Sequence, residues 1–234
     1  MAYAPENTRP SFELGWRLGA DALECDVRLS KDGKLVIIHD DSLDRTTTGA
    51  GLVSDTLWAR LRDLDAGGWF HRRFKGVRLW RLEGLMRWME DKRAPSGKPL
   101  ILVLEIKNDS VRYESIAEAV VKALRAADFV DRTLAISFDH GVVKRAKELC
   151  PSLRTGILFA RPLPNLNALM EWTGADTLFP KHTLIKPLFS RIVRQRRWFL
   201  GTWTVNGLSE MKRLIRLGVD GIATNCPEKL IALR

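Results

Sequence analysis

The sequence lacks a long apolar run and has few cysteines. No stretch of about 18 or more apolar residues occurs, so no transmembrane helix is expected. Cys25, Cys150 and Cys226 are too few and too scattered for a disulfide framework or a zinc ribbon, and they predict reduced thiols in a cytosol-like compartment. The N-terminus shows no signal peptide, which predicts a cytoplasmic protein.

Several common catalytic signatures are also missing. The sequence contains no phosphate loop ending in Gly-Lys-Ser/Thr, no Gly-x-Ser-x-Gly nucleophile elbow and no Gly-x-Gly-x-x-Gly dinucleotide fingerprint. The scattered histidines and cysteines do not match the spacing of zinc ligands. These absences exclude four chemistries that a chain of this size often carries.

Charge of one sign is in excess, because 38 Lys and Arg residues outnumber 28 Asp and Glu residues, a net +10. This balance suits an acidic partner such as nucleic acid, an anionic membrane surface or a phosphorylated small molecule. The densest basic cluster, Arg191 to Arg197, has Ile192 and Val193 between its charges, which predicts the outer face of an amphipathic helix rather than a nucleic-acid site.

What the sequence does contain is an alternation of apolar runs and helical patterns over 234 residues, a length that suits one β/α domain. Seven runs predict strands: Asp21–Val27, Leu100–Ile106, Thr133–Ser137, Thr155–Leu158, Asp176–Phe179, Phe199–Val205 and Gly221–Thr224. Helices are predicted between most of them: Ser110–Ala127, His140–Leu149, Asn165–Trp172, Leu184–Arg194 and Ser209–Leu217. Such alternation favours parallel strands with helical crossovers.

Two features depart from a regular series. A helix that starts near Asn7 and ends at Gly19 precedes the first strand, which suggests that an earlier strand is missing. The interval from Arg28 to Pro99 is too long for a simple crossover; it opens with an Asp32-Gly33 hairpin signal and a returning arm at 35–38. We therefore expect an inserted region at one end of the barrel.

Charged side chains lie within two of the predicted strands. Glu24 and Asp26 stand two apart and so point to the same face, and Glu105 and Lys107 repeat this pattern. Since active sites of parallel barrels form where the strands end, the three carboxylates could converge and bind Ca²⁺ or Mg²⁺, with Lys107 facing a phosphate. Each pair also has a simpler interpretation. Glu24 and Asp26 could lie at a strand end that projects into water, and Glu105 and Lys107 could form an ion pair where their strand ends.

Two further residues are candidates for the same site. His39 follows the arm at 35–38, where a histidine can act as a general acid or base, although a lone histidine is often structural. Trp203 lies near the end of a late strand, where it could form an apolar wall beside a ligand or simply fill the core.

The sequence resembles the glycerophosphodiester phosphodiesterase family. The matching segments follow the family's order along essentially the whole chain: Ala4-Pro-Glu-Asn-Thr8, Gly19-Ala-Asp21, Leu23-Glu-Cys-Asp-Val27, Ser30-Lys-Asp-Gly33, Ile38-His-Asp40, Leu43-Asp-Arg-Thr-Thr47, Leu64-Asp-Ala-Gly67, Trp69-Phe70, Leu104-Glu-Ile-Lys107, Ser137-Phe138, Thr155-Gly-Ile-Leu158, Thr202-Trp-Thr-Val-Asn206 and Gly218-Val-Asp-Gly-Ile222. Together they are far more specific than any single segment.

The resemblance implies a TIM barrel of the (β/α)8 type with a small insertion after the second strand. It implies one domain over 1–234, with an insertion at approximately 40–82. It also implies metal-dependent hydrolysis of a small-molecule glycerophosphodiester to glycerol 3-phosphate and an alcohol.

The resemblance assigns roles to the same candidate residues. Glu24, Asp26 and Glu105 match metal ligands, Lys107 a phosphate contact and His39 one of two catalytic histidines. A further match, Trp203, corresponds to an aromatic residue near the substrate.

One family motif has no counterpart. The family has a His-Arg-Gly motif at the end of its first barrel strand, shortly before the segment that contains Asn7, and here that interval includes Met1. Three hypotheses follow: an active hydrolase that works without this histidine, a catalytically impaired or inactive member, or a sequence that lacks an upstream portion. A phosphatidylinositol-type phospholipase C, which also has a barrel and paired histidines, fits the carboxylate set less well.

Overall fold

The computed structural model describes residues 2–233, so Met1 and Arg234, the ends of the predicted domain, lie outside the described residues. Eight strands are present in this range: β1 (Ala22–Leu29), β2 (Leu35–Ile37), β3 (Ile101–Ile106), β4 (Thr133–Ser137), β5 (Arg154–Phe159), β6 (Thr177–Pro180), β7 (Phe199–Thr202) and β8 (Gly221–Ile222). The α-helices of the described chain are α1 (Arg9–Arg17), α2 (Trp58–Leu61), α3 (Leu82–Met89), α4 (Ile116–Ala126), α5 (His140–Leu149), α6 (Leu166–Thr173), α7 (Pro187–Gln195), α8 (Leu208–Arg216) and α9 (Pro227–Ile231).

The strands form one sheet in the order β2-β1-β3-β4-β5-β6-β7-β8. All neighbouring pairs from β1 to β8 are parallel, whereas β2 returns antiparallel along the end of β1. All seven predicted parallel strands are therefore confirmed, as is the α/β class. The predicted hairpin is confirmed as well, and Gly33 in its turn has φ +69°, a conformation that glycine adopts without a steric penalty.

The N-terminal segment contacts both ends of the parallel series. The Asn7 side chain bonds to Asp26 in β1, donating to Oδ2 at 2.7 Å and accepting from the backbone N–H at 3.1 Å. The Tyr3 hydroxyl donates to Glu228 in α9 at 2.7 Å, next to β8. The segment before α1 thus lies between β1 and the element that follows β8.

Local capping explains where several helices begin. Asp139 caps α5 by accepting from the N–H of Gly141 at 2.9 Å, and the predicted bounds of this helix are confirmed. The predicted helix from Ser110 begins only at Ile116, because Asn108 accepts from the N–H of Tyr113 at 2.6 Å and holds the chain in a turn. No helix within residues 2–233 is long and apolar enough to cross a membrane.

Apolar side chains fill both faces of the sheet. The outer layer lies between the sheet and the helices, while a smaller cluster inside the barrel contains Leu134, Ile136, Leu158 and Phe179. A Cβ atom at Gly201 would overlap the Phe179 ring, so β7 needs a glycine at this point for that ring to lie inside the barrel. The charged candidates lie above this floor, toward the carboxyl ends of the strands.

The region between β2 and α3 has a small core of its own. Its buried residues Leu43, Val53, Leu61 and Ala66 pack against Ile38 at the end of the hairpin. This packing connects the region to β2 and places the chain that follows His39 beside the barrel.

Candidate active site

Three carboxylates meet between two neighbouring strands. Glu24 and Asp26 lie on β1 and Glu105 lies on β3, where Asp26 and Glu105 are register partners. One oxygen of each carboxylate lies within 4.8 Å of the other two. The alternation of side chains along β1 directs both of its carboxylates into the barrel.

Lys107 lies within this acidic group. Its Nζ is 2.5 Å from Glu105 Oε1 and 3.1 Å from Asp26 Oδ1, and the residue is only 5% exposed. Burial alone would lower the pKa of Lys107, but the Asp26 and Glu105 carboxylates outweigh it and raise this pKa. The lysine therefore stays charged and holds the two carboxylates together.

One ammonium does not balance three carboxylates. Burial, together with repulsion from Asp26, raises the pKa of Glu105 to about 7. The pKa of Glu24 is raised well above its ordinary value, mainly by desolvation and also because Asp26 and Glu105 are near. Glu24 nevertheless has surface open to water within the barrel.

The donor atoms and the excess negative charge of the three carboxylates show whether a cation fits among them. Three carboxylates with hard oxygen donors at mutual distances under 4.8 Å are the donor set that Ca²⁺ and Mg²⁺ prefer. Desolvation is the main cause of the raised pKa values of Glu24 and Glu105, and a divalent cation would relieve the repulsion that adds to it. The residues present therefore fit a divalent metal.

His39 is held beside the carboxylates by a chain of charged contacts. Its Nδ1 lies 2.7 Å from Asp40 Oδ1, and Arg45 donates to Asp40 Oδ2 at 2.6 Å and to Glu6 Oε1 at 2.5 Å. Hydrogen bonds from Arg45, and then from His39, lower the pKa of Asp40 to about 2, so this carboxylate is ionised at neutral pH. An ionised acceptor requires Nδ1 of His39 to carry a proton, which leaves Nε2 for chemistry. His39 is close enough to Glu105 to lower the pKa of that carboxyl.

Two residues that sequence reasoning did not single out support the site. Arg28 is 3% exposed, and its Nε donates to the His39 carbonyl at 2.9 Å. Asn7 bonds to Asp26 at both its backbone and its carboxylate, and it has a φ of 55° that asparagine tolerates. Asn7 lies in a segment of the family resemblance, so a signal for it existed, whereas Arg28 has none beyond its place two residues after Asp26.

Trp203 closes the apolar side of the barrel interior. Its Nε1 donates to the Phe179 carbonyl at 2.8 Å, and its ring lies edge-on to Phe138 with 5.4 Å between ring centroids. The ring is half-buried, so part of it faces the space above the floor of the barrel.

The remaining histidines lie outside this group and have structural partners. His140 Nε2 bonds to the Leu158 carbonyl at 2.9 Å. His71 Nδ1 accepts from the N–H of Arg73 at 3.2 Å. The last one, His182, lies after β6, where its Nδ1 is 2.7 Å from Glu210 Oε1.

The contacts of Glu210 predict a pH-dependent contribution to stability. Hydrogen bonds from Arg213, and then from His182, lower the pKa of Glu210 to about 2. A carboxyl with a lowered pKa stabilises the fold above its unfolded-state pKa and loses this effect as the pH falls toward the folded-state pKa. We expect Glu210→Gln to lower the free energy of unfolding by about 1–2 kcal/mol at pH 7 and by about half as much at pH 3, as measured by urea unfolding. Equal losses at both pH values would contradict this account.

A parallel barrel with acidic, lysine and histidine side chains at the carboxyl ends of its strands defines the protein as a barrel enzyme. A sequence profile of the glycerophosphoryl diester phosphodiesterase family matches residues 1–229, so the chain belongs to this family and is a phosphodiester hydrolase. A glycerophosphodiester phosphodiesterase of Caldanaerobacter subterraneus is 36% identical over 98% of this chain and 92% of its own length. These findings confirm the family resemblance and support hydrolysis of glycerophosphodiesters.

Solved structures confirm the barrel fold. An Oleispira antarctica phosphodiesterase in complex with the product sn-glycerol-3-phosphate has a TM-score of 0.86 at 26% identity, covering 99% of this chain and 92% of the other. A glycerophosphodiester phosphodiesterase from Agrobacterium tumefaciens has a TM-score of 0.83 at 26% identity, covering 99% and 95%. The predicted TIM-type architecture is therefore correct.

Proposed function

We propose that this chain hydrolyses glycerophosphodiesters with the help of Ca²⁺ or Mg²⁺ and releases sn-glycerol 3-phosphate and an alcohol. The observation that carries the proposal is the convergence of Glu24, Asp26 and Glu105 around Lys107 in a member of this family. The product named for the Oleispira antarctica relative supports the same choice of product here.

The three carboxylates would hold the cation, and Lys107 would contact the phosphate. When bound, a divalent cation polarises a phosphoryl oxygen and neutralises charge that develops there. Lys107 supplies a fixed positive charge at the same place, because Asp26 and Glu105 prevent its side chain from moving away. Asn7 keeps Asp26 oriented by bonding to it twice.

His39 would move a proton during the reaction. Water adds its oxygen to phosphorus, the bond from phosphorus to the alcohol oxygen breaks, and a proton reaches that oxygen. His39 Nε2 serves one of the two proton transfers, either from the attacking water or to the leaving alcohol. Asp40 fixes the ring through Nδ1, and Arg28 fixes its backbone, so both act as positioning residues.

The walls of the barrel would receive the uncharged part of the substrate. Trp203 and Phe138 present an apolar surface against which the carbon atoms of the glycerol group can pack. The insertion at 40–82 contributes Asp40 and Arg45 to the positioning of His39, so we assign it to the site and to the same domain.

The direct test is product analysis with glycerophosphocholine as the substrate. We expect the purified chain to release choline and sn-glycerol 3-phosphate in the presence of Mg²⁺ or Ca²⁺, and to lose this activity in EDTA. Both products should be measured, because cleavage on the other side of phosphorus would release phosphocholine and glycerol.

Three results would contradict the proposal. Release of phosphocholine would refute the assigned products, and activity that resists EDTA would refute the role of the cation. A chain that is folded by circular dichroism but inactive with both ions would refute the hydrolase proposal for this chain and favour an inactive family member.

A further inference from the structure

The positive charge of this protein is concentrated in one part of the chain. Residues 177–219 contain nine Lys and Arg residues but only one acidic residue, Glu210, which gives them a net +8 of the total +10. Glu210 is already paired with Arg213 and His182. The segment runs from β6 to just beyond α8, and eight of its nine basic residues lie on or directly beside α7 and α8, whereas Lys181 follows β6.

The helix α7 contacts the C-terminal end of α8, and a groove lies at this junction. Ser190 and Arg194 on α7 both donate to the Leu217 carbonyl at the end of α8, the second at 3.0 Å. Above this junction lies an open cavity of about 410 Å³ that is lined by Arg191, Arg194 and Arg216. The lining therefore presents three guanidinium groups around one opening.

Aliphatic side chains surround these arginines on the surface. On α7, Leu188 is 67% exposed and Ile192 is 41% exposed, and on α8 Ile215 is 44% exposed. The predicted amphipathic helix at Arg191–Arg197 is confirmed in part. Val193 points inward and is buried, but Ile192 lies outside among the arginines. We call the exposed surface of Leu188, Arg191, Ile192, Ile215 and Arg216 the α7–α8 face.

Mixed basic and aliphatic character favours one kind of partner. Clusters of four to eight Lys and Arg residues on an amphipathic helix are typical of binding to anionic lipids, where each basic side chain adds about 1 kcal/mol. The aliphatic side chains enter the boundary between headgroups and acyl chains. Nucleic acid would use the arginines alone, because its backbone phosphates offer nothing to leucine or isoleucine. A second copy of the chain would bring one strongly positive surface against another.

We propose that the α7–α8 face binds the surface of bilayers that contain anionic phospholipids, so that the protein associates peripherally with membranes. The face is formed by helices that follow β6 and β7, whereas the carboxylates lie on β1 and β3. Membrane binding and hydrolysis of a soluble substrate therefore use different parts of the barrel.

The test is sedimentation of the protein with vesicles. We expect it to bind vesicles of phosphatidylcholine mixed with phosphatidylglycerol, to bind those of phosphatidylcholine alone much less, and to be released by high salt. The triple variant Arg191→Glu, Arg196→Glu, Arg216→Glu combines two arginines of this face with Arg196, the exposed residue that follows α7. It should bind the anionic vesicles at least about 100-fold more weakly, since loss of each basic residue alone costs about fivefold.

Two matched variants separate this proposal from a general effect of charge. The triple variant Lys98→Glu, Lys122→Glu, Arg154→Glu makes the same change at exposed positions elsewhere and should bind as the wild type does. The triple variant Leu188→Ser, Ile192→Ser, Ile215→Ser keeps every charge and should bind vesicles at least about fivefold more weakly because it loses buried apolar area.

Binding of duplex DNA should be measured in parallel, because nucleic acid is the alternative partner for a basic surface. The proposal is overturned if anionic vesicles are not bound, if the control charge variant loses binding as strongly, or if the serine variant binds vesicles fully. It is also overturned if DNA alone is bound in a way that depends on the arginines. Each variant should retain its circular dichroism spectrum and its hydrolysis of glycerophosphocholine, so failure of either proposal is visible separately.

Discussion

Replacement of Glu24 by glutamine is expected to lower kcat/KM by about 10³-fold and to make the metal-free protein more stable. The catalytic loss follows because the amide is a weaker ligand and leaves two carboxylates to hold the cation. The gain in stability follows from the raised pKa of Glu24, since an ionised group with a raised pKa costs the fold stability above its ordinary pKa. Glutamine has nearly the same shape and no charge, so the midpoint of thermal unfolding should rise in EDTA.

The same variant gives a readout that does not depend on activity. Addition of Ca²⁺ or Mg²⁺ should raise the unfolding midpoint of the wild type, because a ligand that binds only the folded state stabilises it. This increase should be much smaller for Glu24→Gln. A variant with unchanged activity and an unchanged response to the ions would rule out Glu24 as a ligand.

Glu118 offers a matched control for the change of a glutamate. It lies on α4, where Arg145 donates to it at 2.7 Å and lowers its pKa. Glu118→Gln should therefore retain full activity and the full response to the ions. Its effect on stability should have the opposite sign, a loss of about 0–1 kcal/mol, because a surface ion pair is removed.

Replacement of His39 by asparagine is expected to lower kcat by about 10²–10⁴-fold, the usual contribution of a positioned acid or base. The KM for glycerophosphocholine should change little, since the carboxylates and Lys107 still bind the phosphate. Stability should also change little, because the side chain is 52% exposed. Steady-state kinetics together with thermal unfolding test these expectations.

Two companion variants distinguish chemistry from position. Asp40→Asn should have a kcat between those of the wild type and His39→Asn, because the His39 ring remains but is held less firmly. His71→Asn should be as active as the wild type, since His71 is exposed and its Nδ1 accepts from the backbone N–H of Arg73 in a turn away from the carboxylates. Added imidazole should restore part of the activity of His39→Asn; full activity of that variant without imidazole would exclude His39 as the group that transfers the proton.

Many elements could be predicted because their signals are local. The bounds of α5 follow from Asp139 and a periodic apolar face, and all seven parallel strands follow from short apolar runs. Errors occurred at ends, where tertiary contacts compete with local preference. The strand predicted to reach Val205, for example, ends at Thr202. The late start of α7 is a different case, since Pro187 is a local signal for a first helical position and lies three residues after the predicted start.

The sequence by itself determined the β/α class and the direction of the carboxylates of Glu24 and Asp26. Strand alternation has a period of two residues, so it can be read from neighbours in the chain. The segments that resemble the family likewise depend only on residue identity and order.

Only the tertiary structure decided which distant groups meet. Arg45 pairs with Glu6 across 39 positions, and Arg28 holds the backbone of His39, although neither pairing follows from a local pattern. The α7–α8 face is also a tertiary result, because burial of Val193 and exposure of Ile192 depend on how α7 packs on the sheet. Periodicity specifies which side chains share a face, whereas the wrapping of the sheet specifies what that face meets.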